Sequence, residues 1–228
     1  MPQKSRFRVS QPEPSFHTDR ENRRSVSDGG GTRVCLFGGT FDPVHNAHLQ
    51  IAAAALKRFA LDRVLFVPAR NPPHKESQSV TAYNHRFRMV EIACESNPRF
   101  IASRLEEGRG RSYTVETLER FSSELGPEDR LFFLIGSDAF DEIRSWKRWQ
   151  DVVTLTEFIV VTRPDHEYLA PTPARVHPLN GLELPVSSSS IRSRLATGEA
   201  TPELPKEVRA YIEAHGLYGF GKEATALR

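Results

Sequence analysis

The stretch from Val34 to His48, VCLFGGTFDPVHNAH, constrains this chain more than any other. Val34–Phe37 is a short apolar run that stops at two glycines, the pattern of a buried strand reaching a tight turn. Gly38 and Gly39 carry no Cβ, so their backbone N–H groups can approach something bulky and polar. Asp42 and Pro43 punctuate the loop, and from Asn46 onward Leu49, Ile51, Ala52, Ala55, Leu56 and Phe59 follow a helical pattern. A glycine turn between a strand and a helix N-terminus is a phosphate site in outline, because exposed N–H groups and the positive end of the helix dipole face the anion. His45 and His48 stand at the mouth of that helix, spaced so that one face presents both imidazoles. The stretch is neither Gly-x-Gly-x-x-Gly nor Gly-x-x-x-x-Gly-Lys-Ser/Thr, which argues against a dinucleotide fingerprint or a P-loop. It reads as a nucleotide site of another kind.

Further along, apolar runs and amphipathic stretches alternate. Arg63–Val67, Phe100–Ala102, Leu131–Ile135 and Glu157–Val161 read as strands, and Tyr83–Glu95 and Thr114–Leu125 as helices. Pro68–Val80 is a polar loop, and the proline-bearing Pro164–Asn180 reads as loop with room for one short strand. Ser187–Ser190 can cap a helix over Ile191–Ala196, and Pro205 can open a last helix to His215, stopped by Gly216. Short apolar strands alternating with helices predict an α/β fold, a parallel sheet with helices on both faces. Ligands of such sheets bind at the carboxyl ends of strands. Gly38–His48, Lys75, Asp138 and Arg163 each follow a predicted strand, and that convergence is the main structural expectation.

Residues 1–32 differ in character from 33–228. Their charges are mixed, few apolar residues are available to bury, and Gly29–Gly31 close the segment like a linker, so a disordered tail is expected before one domain. Its acidic residues count against a transit peptide. Across 228 residues, 38% hydrophobic and 26% charged content suit a soluble globular protein. No apolar run approaches the roughly 20 residues that span a bilayer, and no signal-peptide core stands near the start, so a cytoplasmic protein without a membrane partner is expected. Cys35 and Cys94 lie in apolar patterns and read as reduced core residues. A net charge of +2 is too balanced to argue for nucleic acid as a partner. Oligomeric state leaves no signal in the sequence.

With both halves in view, the chain resembles bacterial nicotinate-nucleotide adenylyltransferases, over about Val34 to Tyr218. Gly38–His48 is similar to the family's GGTFDPxHxGH signature. Pro72–Lys75, Ser112–Val115, Gly136–Asp138, Ser145–Trp146, Ser187–Arg192 and Gly216–Tyr218 match its later blocks in order. The first and last blocks also mark the wider nucleotidyltransferase superfamily, so the resemblance implies a Rossmann-like nucleotidyltransferase fold. Two positions depart from the family pattern. Ala47 replaces a glycine between the histidines, and Arg70 stands where a small or amide residue is usual. Arg70 reads as a solvated loop arginine rather than an anion ligand.

The resemblance implies adenylyl transfer from ATP to nicotinate mononucleotide, with pyrophosphate released. The attacking phosphate is already an anion, so positioning and electrostatics are the requirement rather than a general base. On this reading His45, His48, Lys75 and Arg192 are the catalytic groups. ATP is expected against Gly38, Gly39, Thr40, Phe41, Gly136, Asp138, Ser188 and Ser189, with the Asp138 carboxylate on the ribose hydroxyls. Nicotinate mononucleotide is expected against Tyr113, Thr114, Trp146 and Arg163, the indole stacking on the pyridine ring. Mg²⁺ is expected through the ATP phosphates, and Asp42 as a loop organiser rather than a metal ligand.

Plainer roles stand beside these. The two histidines could be a zinc pair or helix caps, Lys75 a surface lysine, Trp146 core packing, Ser187–Ser190 and Asp138 simple caps. Among functions, nicotinamide mononucleotide or dual use is the nearest alternative, since acid and amide differ by one group. A phosphopantetheine adenylyltransferase has no place for the Ser112–Val115 and Trp146 blocks. A non-catalytic nucleotide sensor on the same fold would bind ATP without releasing pyrophosphate.

Overall fold

The computed structural model describes residues 31–71, 80–108, 110–162, 168–182 and 185–220. Residues 1–30 of the segment expected as a tail, and Lys75 and Arg163, lie outside the described residues, whereas Thr32 already joins the domain, its N–H donating to Asp129 Oδ1 at 2.6 Å. Six strands form one parallel sheet: β1 (Arg33–Gly39), β2 (Arg63–Pro68), β3 (Phe100–Ala102), β4 (Arg130–Gly136), β5 (Glu157–Val161) and β6 (Arg175–Leu179). Their order is β3-β2-β1-β4-β5-β6. The helices among the described residues are α1 (Asn46–Arg58), α2 (Tyr83–Cys94), α3 (Thr114–Ser122), α4 (Ser137–Asp141), α5 (Trp149–Leu155), α6 (Ser188–Ala196) and α7 (Lys206–Ala214).

Side chains on a strand alternate between its two faces, and here both faces are buried. Cys35, Phe37, Val64, Phe66, Phe132, Leu134 and Ile159 belong to one core, with residues of α1, α2, α6 and α7. Val34, Leu36, Leu65, Val67, Leu131, Phe133, Ile135, Phe158 and Val160 belong to the other, with residues of α3, α4 and α5. Near-continuous apolar runs follow, and that is why the strands were legible. Cys35 and Cys94 are free and buried, and burial pushes the Cys94 thiol up to about 12.

From β1 the chain winds outward through β2 to β3, then crosses by α3 to β4 on the other flank of β1. The winding reverses between β1 and β4, so the loops leaving their carboxyl ends diverge and leave a crevice. Two features stand beyond the strands named from sequence: a pair of helices it did not mark, and the one short strand for which Pro164–Asn180 left room. Between β4 and β5 stand α4 and α5, five and seven residues long, too short for a periodic pattern to mark. Within the stretch read mainly as loop, β6 pairs in parallel with β5, and Pro178 is tolerated there because the strand lies at the sheet's edge.

The opposite ends of β4, β5 and β6 carry an ionic knot around one buried carboxylate, Glu157. Glu157 Oε1 accepts from Arg130 Nε at 3.0 Å and Nη2 at 2.7 Å, and Oε2 lies 2.7 Å from both Arg130 Nη2 and His177 Nε2. Burial opposes ionisation of Glu157, but Arg130, His177 and Arg175 outweigh it and hold the pKa below the usual carboxylate value. A carboxyl whose pKa falls on folding stabilises the fold above its unfolded value, near 4.3, and loses that contribution as pH drops through the folded one. Glu157→Gln is therefore expected to lower stability by about 1–2 kcal/mol at pH 7. This is less than a fully buried pair would lose, because Arg130 is 44% exposed. Urea unfolding at pH 7 and at about pH 3.5 checks it, and the difference should shrink at the acid end.

Candidate active site

The loop from Gly38 to His45 runs across the carboxyl end of β1. Packing is close at both glycines and closest at Gly39. A Cβ on Gly39 would stand 2.9 Å from the Phe41 ring, and one on Gly38 would stand 3.2 Å from Phe133. Phe41 is held at φ 49, a left-handed conformation that costs a non-glycine residue about 1–2 kcal/mol. Packing stabilises it there, since its ring lies edge-on to Phe37 at 5.5 Å and to His48 at 5.1 Å.

His45 is the N-cap of α1 and His48 lies in its first turn. Their rings are 3.8 Å apart between centroids and tilted by 35°. The backbone N–H of His45 donates to His48 Nδ1 at 3.2 Å, so the neutral His48 ring carries its proton on Nε2. Burial lowers the pKa of His45 to about 4, with Glu203 partly opposing, and burial with His45 beside it pushes His48 well below its usual value. Near neutrality both rings are uncharged donors. His45 Nδ1 is buried without a hydrogen-bond partner. Ala47 is buried in the same turn, its methyl packed inside the protein.

Three other elements grip this loop. From α6, Arg192 Nη1 donates to the Asp42 carbonyl at 2.7 Å and Ser188 Oγ donates to the Pro43 carbonyl at 3.0 Å. Ser187 caps α6 by accepting from the Ser190 N–H at 3.2 Å, as its serine run implied, and Ser189 is exposed beside it. From α2, Arg86 donates to the carbonyls of Thr40 at 2.7 Å, Thr81 at 2.7 Å and Arg70 at 3.2 Å. Arg86 is 1% exposed, and the sequence reading passed over it because an arginine in an amphipathic helix reads as surface. Asp42 is buried and accepts from the Thr81 N–H at 3.2 Å and the Tyr218 hydroxyl at 2.7 Å, which makes it the loop organiser expected.

At the neighbouring end of β4, Gly136 is exposed with open space where a Cβ would stand, and the exposed Asp138 lies in the first turn of α4. On the α3 side, Ser112 Oγ accepts from the N–H groups of Arg70 at 2.9 Å and Asn71 at 3.3 Å, tying the loop after β2 to Tyr113 and Thr114 at the start of α3. The half-buried Trp146 stands edge-on to Phe133, 6.3 Å between centroids. Next to it Lys147 Nζ lies 4.2 Å from the centre of the Tyr113 ring. Tyr113, Thr114 and Trp146 are therefore on one side of the crevice, and Phe133 links Trp146 to Gly38. Lys147 was not marked by sequence; only its position after Trp146 pointed to it. Arg70 has its guanidinium 6.0 Å from the Tyr83 ring.

The two histidines also set a pH dependence. A histidine whose pKa falls on folding binds protons more readily when unfolded, between its folded value and about 6.5. Stability should therefore rise with pH from about 4 to about 6.5. His45→Asn is expected to flatten that rise, which denaturant unfolding across this range measures.

Residues 36–194 match the cytidylyltransferase-like family model. A relative from Solibacter usitatus, named "Probable nicotinate-nucleotide adenylyltransferase", is 50% identical over 186 residues, covering 82% of this chain and 99% of its own. One of the same name from Thermus thermophilus is 43% identical over 188 residues, with the same coverage. Among solved structures, the Plasmodium falciparum nicotinic acid mononucleotide adenylyltransferase complexed with NaAD superposes with a TM-score of 0.70. It is 21% identical and covers 84% of this chain and 99% of its own, a likeness of fold. Half identical to one relative whose length it covers almost completely, the chain belongs to the nicotinate-nucleotide adenylyltransferase family.

Proposed function

We propose that this protein joins ATP and nicotinate mononucleotide to give deamido-NAD and pyrophosphate. The observation that carries the reading is the meeting of the Gly38–His45 loop, His48 and Arg192 at the reversal between β1 and β4, in a chain of this family. An oxygen of the mononucleotide 5′-phosphate attacks the α-phosphorus of ATP. The bond from that phosphorus to the oxygen bridging to the β-phosphorus breaks, and pyrophosphate leaves with the electron pair. No proton need be abstracted, so the protein's work is to align two polyanions and to stabilise the charge that builds on the transferred and leaving groups.

His48 suits that task. A neutral ring with Nδ1 occupied and its proton on Nε2 donates one directed hydrogen bond to a non-bridging α-phosphate oxygen, without reorganising as charge develops. His45 and the Gly38–Phe41 amides receive the remaining phosphate oxygens, and Arg192, with one guanidinium nitrogen on the Asp42 carbonyl, offers the rest of its fork to the β,γ-phosphates. Lys75 adds a second cation on the same reading. Adenosine lies toward Gly136, with Asp138 on its ribose hydroxyls and Ser188 and Ser189 near the phosphates. The pyridine ring stacks on Trp146, with Tyr113 and Thr114 reading its carboxylate and Arg163 holding the mononucleotide phosphate.

Mg²⁺ fits as an ion carried by the triphosphate. Both carboxylate oxygens of Asp42 are already engaged, and among the described residues no three histidine, cysteine or acidic side chains gather as a cage. When bound it neutralises charge on the phosphates. A cytoplasmic setting agrees with the described helices, none of which is long and apolar enough to cross a membrane.

The test is pyrophosphate release from ATP and Mg²⁺ with nicotinate or nicotinamide mononucleotide in parallel. A strong preference for the acid is expected, equal or reversed preference overturns the substrate, and ATP binding without release favours a sensor. His48→Ala should lower turnover by roughly 10²-fold or more, and near-normal turnover would remove His48 from the chemistry. Trp146→Ala should weaken binding of the mononucleotide and leave that of ATP similar, whereas equal loss for both would make it a packing residue.

A further inference from the structure

The end of the chain returns to the nucleotide loop. After α7, Gly216 turns at φ 56 and Leu217–Gly219 form a 3-10 turn. Tyr218 in that turn is itself left-handed, at φ 58 and ψ 24, and Gly219 follows at φ 78. A side chain disfavours this conformation, so contacts must hold it. Leu217, Tyr218 and Phe220 pack against the core shared with α6 and α7. The Tyr218 hydroxyl then reaches 176 residues back along the chain and donates to Asp42 Oδ1 at 2.7 Å. Burial, together with the Asp42 charge, pushes the phenol well above its ordinary pKa, so it remains a donor.

Asp42 is 3% exposed and stands in the middle of the loop. Its carbonyl is held by Arg192, one carboxylate oxygen by the Thr81 N–H and the other by Tyr218. Packing alone would need only the ring of Tyr218. The hydroxyl, aimed at a buried carboxylate among groups that receive phosphate, does more. We infer that Tyr218 is a positioning residue for adenylyl transfer: through Asp42, its hydroxyl sets the Gly38–His45 loop in the geometry that receives ATP. The inference rests on the ATP chemistry proposed for that loop.

The experiment compares the full chain with Tyr218→Phe, which keeps the ring and removes the donor, and with Leu217→Ala, which removes packing from the same turn. Two quantities are read: pyrophosphate release as kcat and KM for each substrate, and amide hydrogen exchange over 38–48 without ligand. Tyr218→Phe should speed exchange in that segment and lower kcat/KM for ATP by roughly ten-fold or more, as loss of a hydrogen bond to a charged group does. Leu217→Ala should lower the melting temperature without that kinetic change. Unchanged exchange or unchanged kinetics in folded Tyr218→Phe overturns the inference, as does an equal kinetic loss in Leu217→Ala. A wild-type chain that releases no pyrophosphate overturns the proposed reaction instead. ATP affinity then decides the positioning role: weakening by Tyr218→Phe alone supports it, and equal affinity overturns it. Should Tyr218→Phe fail to fold, Asp42→Ala, which leaves the hydroxyl no acceptor there, reads the same bond from its other end. Lost exchange protection over 216–220 supports the inference, and unchanged protection overturns it.

Discussion

A site for two polyanions must hold its donors still before the charge arrives, and in this protein that burden falls on one loop. Gly38 and Gly39 let the Phe133 and Phe41 rings pack close to the backbone, but they leave the loop without side chains of its own to fix it. Rigidity is supplied from outside. Arg86 grips Thr40, Arg192 and Ser188 grip Asp42 and Pro43, and Thr81 and Tyr218 hold the Asp42 carboxylate. These partners come from α2 and its approach, from α6 and from the turn after α7, so the helices that cover one face of the sheet also brace the loop at its edge.

The electrostatics follow a related economy. A net charge of +2 leaves no strong general field to attract substrates. Donors are concentrated instead where the winding reverses, and burial makes the two histidines neutral. A neutral imidazole with a fixed tautomer offers a directed hydrogen bond and avoids the repulsion two stacked cations would meet at 3.8 Å. Permanent charge is left to arginine, and Arg86 and Arg192 use their guanidinium groups on backbone carbonyls of the loop. The knot around Glu157, at the other end of the strands, shows the contrasting use, a buried charge paired on all sides for structure.

The strands of the central sheet were legible because burial on both faces writes a near-continuous apolar run, as in Leu131–Ile135 and Glu157–Val161. The tight turn expected at Gly38 and Gly39 lies further on, at Asp42 and Pro43, because both glycines still pair with β2 as the last residues of β1. The serine cap of α6 and the Pro205–Gly216 bounds of α7 were read correctly from local signals. By contrast α4 and α5 span less than two full turns each, and β6 is an edge strand carrying a proline, so neither repeats a pattern long enough to read. Arg86 was missed because two of the three backbone carbonyls that hold it, those of Thr40 and Arg70, belong to loops after other strands.

The sequence by itself determined the five strands β1 to β5, the longer helices, the loop that joins β1 to α1, and the family to which the chain belongs. These depend on neighbours a few residues apart: periodicity, turn chemistry and capping. Tertiary structure decided the order of the strands and so the crevice between β1 and β4. It also decided the protonation of His45 and His48, and the bond by which Tyr218 reaches Asp42. Each of those requires burial or contact between residues distant in the chain, and a packed core is what supplies the low dielectric and the fixed distances that make them effective.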